Sequence, residues 1–340
     1  MANDGVSRLV SSYDSYKQKR LVGIQILRIC ACIGVFLVHL GQRLRFTGAI
    51  RTLTDFGAFG VEMFFIISGY LAFRGGIKHG YKNTLKYYIK RAIRLLPLFY
   101  LVTIFYFISD TFIWHTIEDK SGWIRELFIT NGLINPNGWR DTGGTWTIHI
   151  FVCFYLIVPI LARIVKSTKS ALVFLLISYL AGHFTLLYGN GWLNFLVYLP
   201  YFSMGILLFF SEKEKCEIKV SLFLVLFSLT SIIFSRKEEM IYSPLFCLII
   251  LIINKISWKG IIIRIVNCLD PYTYSLYLTH CVVVCGVLDK LPLSKLSAYL
   301  IGILGSILLT IFIYHTFEKP IYSFLRKRVE KSFNEKSIQK

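Results

Sequence analysis

Arg28 and His39 lie eleven positions apart on one apolar stretch, LVGIQILRICACIGVFLVHLG. A single helix there carries a fixed cation and a titratable imidazole roughly 16 Å apart along its axis, about half a bilayer core. A guanidinium at membrane depth costs a few kcal/mol or more, so it reads first as a functional group. A neutral imidazole serves as general base or as nucleophile near pH 7. Taken singly, Arg28 could snorkel to headgroups and His39 could bond a loop carbonyl; together on one helix they favour chemistry on an anionic substrate entering from one side. Glu62, in FGVEMFFIISGYLAF, is expected in the outer half of the second helix at a depth comparable to His39. A carboxylate there holds an imidazole in one tautomer, or pairs instead with Arg43 or Arg45. Ser68 and Gly69 form a small-residue surface for close helix packing.

Lys90, Arg91 and Arg94 lead into the third apolar run. Cations three and four apart on a helix are neighbours that repel unless an anion binds. They read as a phosphate clamp, with Arg forks taking oxygens bidentately, or as an anchor to acidic lipid. Trp146 and His149 open the fourth helix at its outer mouth, where an aromatic face can stack on a sugar ring or simply sit in the interfacial belt. His280 falls near mid-depth among Tyr272, Tyr274 and Tyr277 as a substrate contact, and Glu318 lies where it can neutralise a cluster cation.

The elements that must hold these groups are membrane helices. The chain has 340 residues, is 55% hydrophobic and 16% aromatic, and has a mean hydropathy of +0.60, too apolar for an ordinary soluble domain. Windows long enough to span fall near 21–42, 56–73, 95–113, 144–162, 171–188, 191–210, 220–235, 241–257, 269–288 and 296–317. Arg264, Asp270 and Pro271 before and within the ninth window point to a broken or re-entrant element there. With the N-terminus inside, 27 of the 38 Lys and Arg fall in alternate, cytoplasmic segments and 10 in outer loops, Arg28 being the remaining one. That bias supports an all-α bundle of about ten transmembrane helices with both termini cytoplasmic.

The chain divides into a cytoplasmic segment at 1–20, a transmembrane domain at 21–320 and a basic cytoplasmic tail at 321–340. The first apolar run has no small-residue cleavage site after it and reads as a retained helix. The longest outer loop, 110–143, holds Trp114, Trp123 and Trp139 and suits an interfacial cap or acceptor loop. The net charge of +19 is spread between apolar segments, which argues topology rather than nucleic-acid binding. The eight cysteines show no metal-ligand spacing in a soluble segment, so neither a disulfide nor a metal is expected.

Arg28 with His39, GVEMFFIISGYL, KRAIRLLPLFY, WTIHIFVCFYLIVPI, YSLYLTH and FEKP, in that order over 21–320, resemble the acyltransferase family 3 membrane proteins, which O-acetylate bacterial polysaccharides and related surface glycans. The resemblance implies a ten-helix bundle in the cell membrane and acetyl-CoA as the cytoplasmic acyl donor. It implies a glycan or glycolipid acceptor on the far side, His39 as the catalytic histidine, Arg28 as its paired arginine, and Arg91 with Arg94 as the basic pair. Two positions depart from the family pattern: Glu62 stands where many members carry aspartate, and Phe151 where many carry glutamate.

Joined to the residues, this gives a donor held by Arg28, Lys90, Arg91 and Arg94, chemistry at His39 with Glu62, and an acceptor met by Trp146, His149 and His280. No metal cofactor and no nucleic-acid partner are expected; acyl-CoA, the acceptor and membrane lipid are. The alternative from another class is a transporter of an anionic glycan or lipid-linked precursor, which would show an inverted repeat and paired broken helices.

Overall fold

The computed structural model describes residues 2–76, 80–113, 126–129, 144–188, 194–235, 238–288, 291 and 293–338. Among these, all regular structure is helical, as backbone groups in a bilayer require when no sheet closes into a barrel. The elements are α1 (Ala2–Arg43), α2 (Gly48–Asp55), α3 (Gly60–Arg74), α4 (Tyr81–Ile108), α5 (Trp146–Ile164), α6 (Thr168–Tyr188), α7 (Asn194–Lys213), α8 (Glu217–Ser235) and α9 (Glu238–Lys255). After these come α10 (Ile261–Leu269), α11 (Thr273–Cys281), α12 (Lys295–Leu300), α13 (Ser306–Ile313) and α14 (Lys319–Ile338).

Among the described residues, six segments are long and apolar enough to cross a membrane: Val22–Arg43, Gly48–Arg74, Tyr81–Ile113, Trp146–Ile164, Phe195–Lys213 and Leu296–Phe333. Ile104, Leu156, Ile177, Leu222 and Leu308 are all exposed. An apolar exterior of that extent suits hydrocarbon rather than water. The chain is a membrane protein. The tryptophans Trp114, Trp123 and Trp139 lie outside the described residues.

The centre is built on aromatic stacking and on glycines. Phe154 of α5 stacks on Phe202 of α7 at 4.0 Å between centroids, with Phe65 of α3 against Phe202 at 4.8 Å. The expected small-residue surface holds at Gly69, which lies against the Phe202 backbone, while Gly205 of α7 lies against the Ile66 carbonyl. A Cβ at either place would overlap main chain, so α3 and α7 approach as closely as two helices can. At one end of this pair the Tyr70 hydroxyl donates to Glu212 at 2.6 Å, Asn254 Nδ2 donates to the other Glu212 oxygen at 3.2 Å, and Arg74 donates to Tyr70 at 3.1 Å. That knot ties α3, α7 and α9 together.

Two features of the backbone set the site. The first is the register of α1 against the returning chain. The backbone turns back through α2 and a 3-10 turn (Phe56–Phe59), and Gly57 meets Gly34 while Gly60 meets Ala31. Glu62 therefore lies level with residues near 28–32 of α1, roughly 15 Å deeper than His39. The expected equal depth of Glu62 and His39 is corrected by this: the return of the chain spends its first residues on α2 and the 3-10 turn, and α3 starts already well inside.

The second feature is a run of irregular turns. The broken element expected around Pro271 is present: α10 stops at Leu269, Asp270–Tyr272 forms a 3-10 turn, and α11 restarts at Thr273. Wide π turns occupy Ser109–Ile113, Val282–Val287, Ile301–Gly305 and Tyr314–Glu318. Such turns recur at functional positions because they re-aim side chains.

Candidate active site

α1, α3, α4, α5 and α11 line a half-open cavity of about 190 Å³ whose lining includes Arg28, Arg91 and Arg94 together with Ser68, Tyr155, Tyr274 and Tyr277. Three guanidinium groups from two distant parts of the sequence thus face one space. The break before α11 explains how Arg28 is tolerated. It frees Asp270 and Thr273 to face α1, where Arg28 Nη1 lies 3.5 Å from the Asp270 carboxylate and Nη2 donates to Thr273 Oγ1 at 3.3 Å. Gln25 Nε2 donates to the other Asp270 oxygen at 3.1 Å.

Arg94 has its own counter-ion. The π turn before α14 rotates Glu318 inward, where it accepts from Arg94 Nη1 at 2.5 Å and from the Ser275 hydroxyl. This is the neutralisation anticipated for Glu318. Arg94 also stacks over Tyr274 and Tyr322, at 5.3 and 5.5 Å.

Arg91 differs from both. It lies over Tyr155 at 4.6 Å and Tyr87 at 5.3 Å, and among the described residues it makes no ion pair with a carboxylate. Three arginines facing two carboxylates leave one net positive charge in a partly apolar cavity, concentrated on Arg91. That is the electrostatic setting of an anion site.

Lys90 is not part of this lining. One residue before Arg91 it lies 100° round the helix from it, with its side chain exposed and in the electrostatic neighbourhood of Glu330 of α14. Its expected place in the clamp is corrected accordingly.

The cavity ends at Tyr277, whose hydroxyl donates to Thr147 Oγ1 at 3.0 Å and whose ring meets Phe64 edge-on at 5.4 Å. Beyond it, nearer the far end of α1, His39 and His280 stand with ring centroids 5.3 Å apart. His280 Nδ1 is 2.9 Å from the Leu276 carbonyl. A carbonyl only accepts, so Nδ1 carries the proton and Nε2 presents a lone pair. Cys281 Sγ lies 3.2 Å from that Nε2, and the thiol donates to it. His39 is half-buried while His280 is 1% exposed. Glu62, 6% exposed in α3, lies in the electrostatic neighbourhood of Tyr277.

The two residues expected at the outer mouth face inward. His149 is fully buried, with Nε2 3.1 Å from Glu126, whose side chain is 4% exposed; Phe99 meets its ring edge-on at 5.6 Å. Trp146 is half-buried and packs on Tyr198 at 5.2 Å. Glu126, Asp270, Tyr155, Cys281 and Cys285 complete these arrangements, and sequence reading did not assign them roles. Asp270 carried a signal, being an acid beside a proline inside an apolar run; Glu126 and the two cysteines carried none.

Comparison with known proteins bears on what this constellation belongs to. No curated protein and no solved structure matches the chain. The family described as "Acyltransferase domain", acyltransferase family 3, matches residues 21–315, a stretch that includes both the arginine-lined cavity and the histidine pair. The chain is therefore a membrane member of acyltransferase family 3, and acyl transfer is its kind of reaction.

Proposed function

We propose that this acyltransferase takes an acetyl group from acetyl-CoA on the cytoplasmic side and passes it to a hydroxyl of a surface or exported glycan on the other, in the cell membrane. In this reading ten helices span, with both termini in the cytoplasm. The observation that carries it is the convergence of Arg28, Arg91 and Arg94 on one cavity with a single uncompensated charge.

Coenzyme A carries its phosphates at one end and the thioester at the other. Phosphate oxygens held by the Arg91 fork leave the pantetheine arm directed toward Tyr277. Arg28 and Arg94 are held rigid by Asp270 and Glu318, so they are pre-oriented donors rather than floating charges. Displacement of the Tyr277 ring admits the thioester to His39. The neutral imidazole then removes the proton of the acceptor hydroxyl as the alkoxide attacks the thioester carbon and the CoA thiolate leaves. Alternatively it takes the acyl group first and hands it on. Trp146 and the buried His149–Glu126 pair shape the wall on the acceptor side, and Glu62 acts from the Tyr277 side rather than on His39 directly.

The test uses the purified chain in proteoliposomes with labelled acetyl-CoA and a glycan acceptor. Thiol release that depends on the glycan is expected, and a transporter would give none. His39→Ala is expected to abolish transfer while CoA binding persists; transfer at the wild-type rate by that variant would overturn the mechanism.

A further inference from the structure

We infer that His39, His280, Cys281 and Cys285 form an intramembrane binding site for a thiophilic d10 cation, Zn²⁺ being the reference case. One ligand atom each from His39, His280 and Cys281 lies within 4.8 Å of the other two. The fourth ligand comes from the π turn Val282–Val287, which widens the helix just after Cys281. About 4.4 residues then complete a turn instead of 3.6, so Cys285 comes back over Cys281. Its thiol lies near enough to Cys281 and His39 to interact with both, at the edge of the group of three.

The chemistry of this set is specific. Two sulfurs and two imidazole nitrogens are the tetrahedral donor set of zinc, with bonds of about 2.3 and 2.0–2.1 Å. Atoms around such an ion are roughly 3.5 Å apart, so closing from 4.8 Å takes about 1 Å of side-chain movement, within reach of the half-buried His39. The His280 tautomer is already the coordinating one, since Nδ1–H is committed to the Leu276 carbonyl at 2.9 Å and Nε2 points inward. The Cys281 proton, shared with that Nε2 across 3.2 Å, occupies the place the ion would take. Binding releases two thiol protons to solvent, and two thiolates cancel the divalent charge. The occupied site is neutral overall, which is what a low-dielectric surrounding tolerates. Because His39 is also the base of the proposed acyl transfer, an ion held there silences the enzyme. That consequence rests on the proposed function; the binding itself does not.

The full chain, purified in detergent with reductant and stripped with chelator, is titrated with Co²⁺. Thiolate-to-cobalt charge transfer and intense tetrahedral visible bands at one ion per chain are expected, bleached by Zn²⁺. Cys281→Ser and Cys285→Ser should each weaken cobalt binding by more than the roughly 10- to 100-fold that loss of an outer-shell partner costs, whereas Cys216→Ser, on the distant α7–α8 connection, retains the full spectrum. No thiolate–cobalt absorption, or the same absorption in both serine variants, would overturn the site. In the acetyl-transfer assay, Zn²⁺ at the concentration that displaces cobalt should stop turnover; undiminished turnover by the zinc-loaded chain overturns the silencing. A cobalt spectrum from a chain that never transfers acetyl counts against the proposed function and leaves the site standing.

Discussion

Replacing Arg91 by alanine is the most direct test of how the donor is held. Arg28 and Arg94 are each matched by a carboxylate, at 3.5 and 2.5 Å, so Arg91 supplies the excess charge. Its planar guanidinium lies over Tyr155 and Tyr87 with the Tyr87 hydroxyl in reach of one N–H, and the remaining N–H donors of the fork are those available to oxygens. A charge-assisted bond contributes about 1.5–3 kcal/mol net. Two such bonds in one fork are not additive, so about 2–3 kcal/mol is a fair total for the pair. At 1.36 kcal/mol per decade this is about a 30- to 150-fold rise in KM for acetyl-CoA, with kcat little changed and acceptor dependence unaltered. Arg91→Lys keeps a charge but loses the planar fork and part of the ring contact, so it should fall between wild type and alanine. The assay is steady-state acetyl transfer with donor and acceptor varied separately, with CoA binding measured by calorimetry. A KM for donor within about threefold of wild type, with the loss appearing in kcat or in acceptor KM, would refute the assignment of Arg91 to the donor.

Asp270→Asn leaves Arg28 without its counter-charge; because the two side chains are 28% and 14% exposed, the cost should be about 1–2 kcal/mol in thermal unfolding, largely regained when CoA is added. A loss that CoA does not restore would argue that Arg28 takes no part in anion binding. Glu318→Gln should cost about 2–3 kcal/mol, toward the low end for a buried pair since Arg94 is 32% exposed, and unfolding at the wild-type temperature would show that the pair does not hold the last helix in place. Gly205→Ala pushes a methyl into the Ile66 carbonyl and should destabilise by about 1–3 kcal/mol without a specific effect on donor KM; full stability would mean that α3 and α7 do not pack as closely as described.

What could be read from the sequence was whatever one helix decides by itself. The spacing of Arg28 and His39, the shared face of Arg91 and Arg94 and the break at Pro271 are local, and each is found, as are six spans among the apolar windows of the described residues. The partners are not local. Asp270 is 242 positions from Arg28 and Glu318 is 224 from Arg94, so their meeting depends on how far each helix is slid and turned. Glu62 shows how sensitive that is: one extra short helix before α3 moved it two to three turns along α1. Lys90 shares a side of its helix with Arg94, yet it lies a turn closer to the helix start, where its side chain is exposed and faces the charge of α14 instead of the cavity. The cysteines were invisible because a thiol in an apolar run looks like any small hydrophobe. Only the π turn after Cys281 gives Cys285 a different meaning.

Tyr277 has an electrical consequence. A bilayer charged to 100 mV gives each elementary charge that crosses it about 2.3 kcal/mol, so a continuous file of water through the bundle would short the membrane. The phenol, latched to Thr147 and edged by Phe64, is a dielectric stopper between the arginine chamber and the imidazoles. At rest the arginine chamber is thereby closed at that end, and on the proposed reading a pantetheine arm that displaces the ring would itself fill the gap it opens.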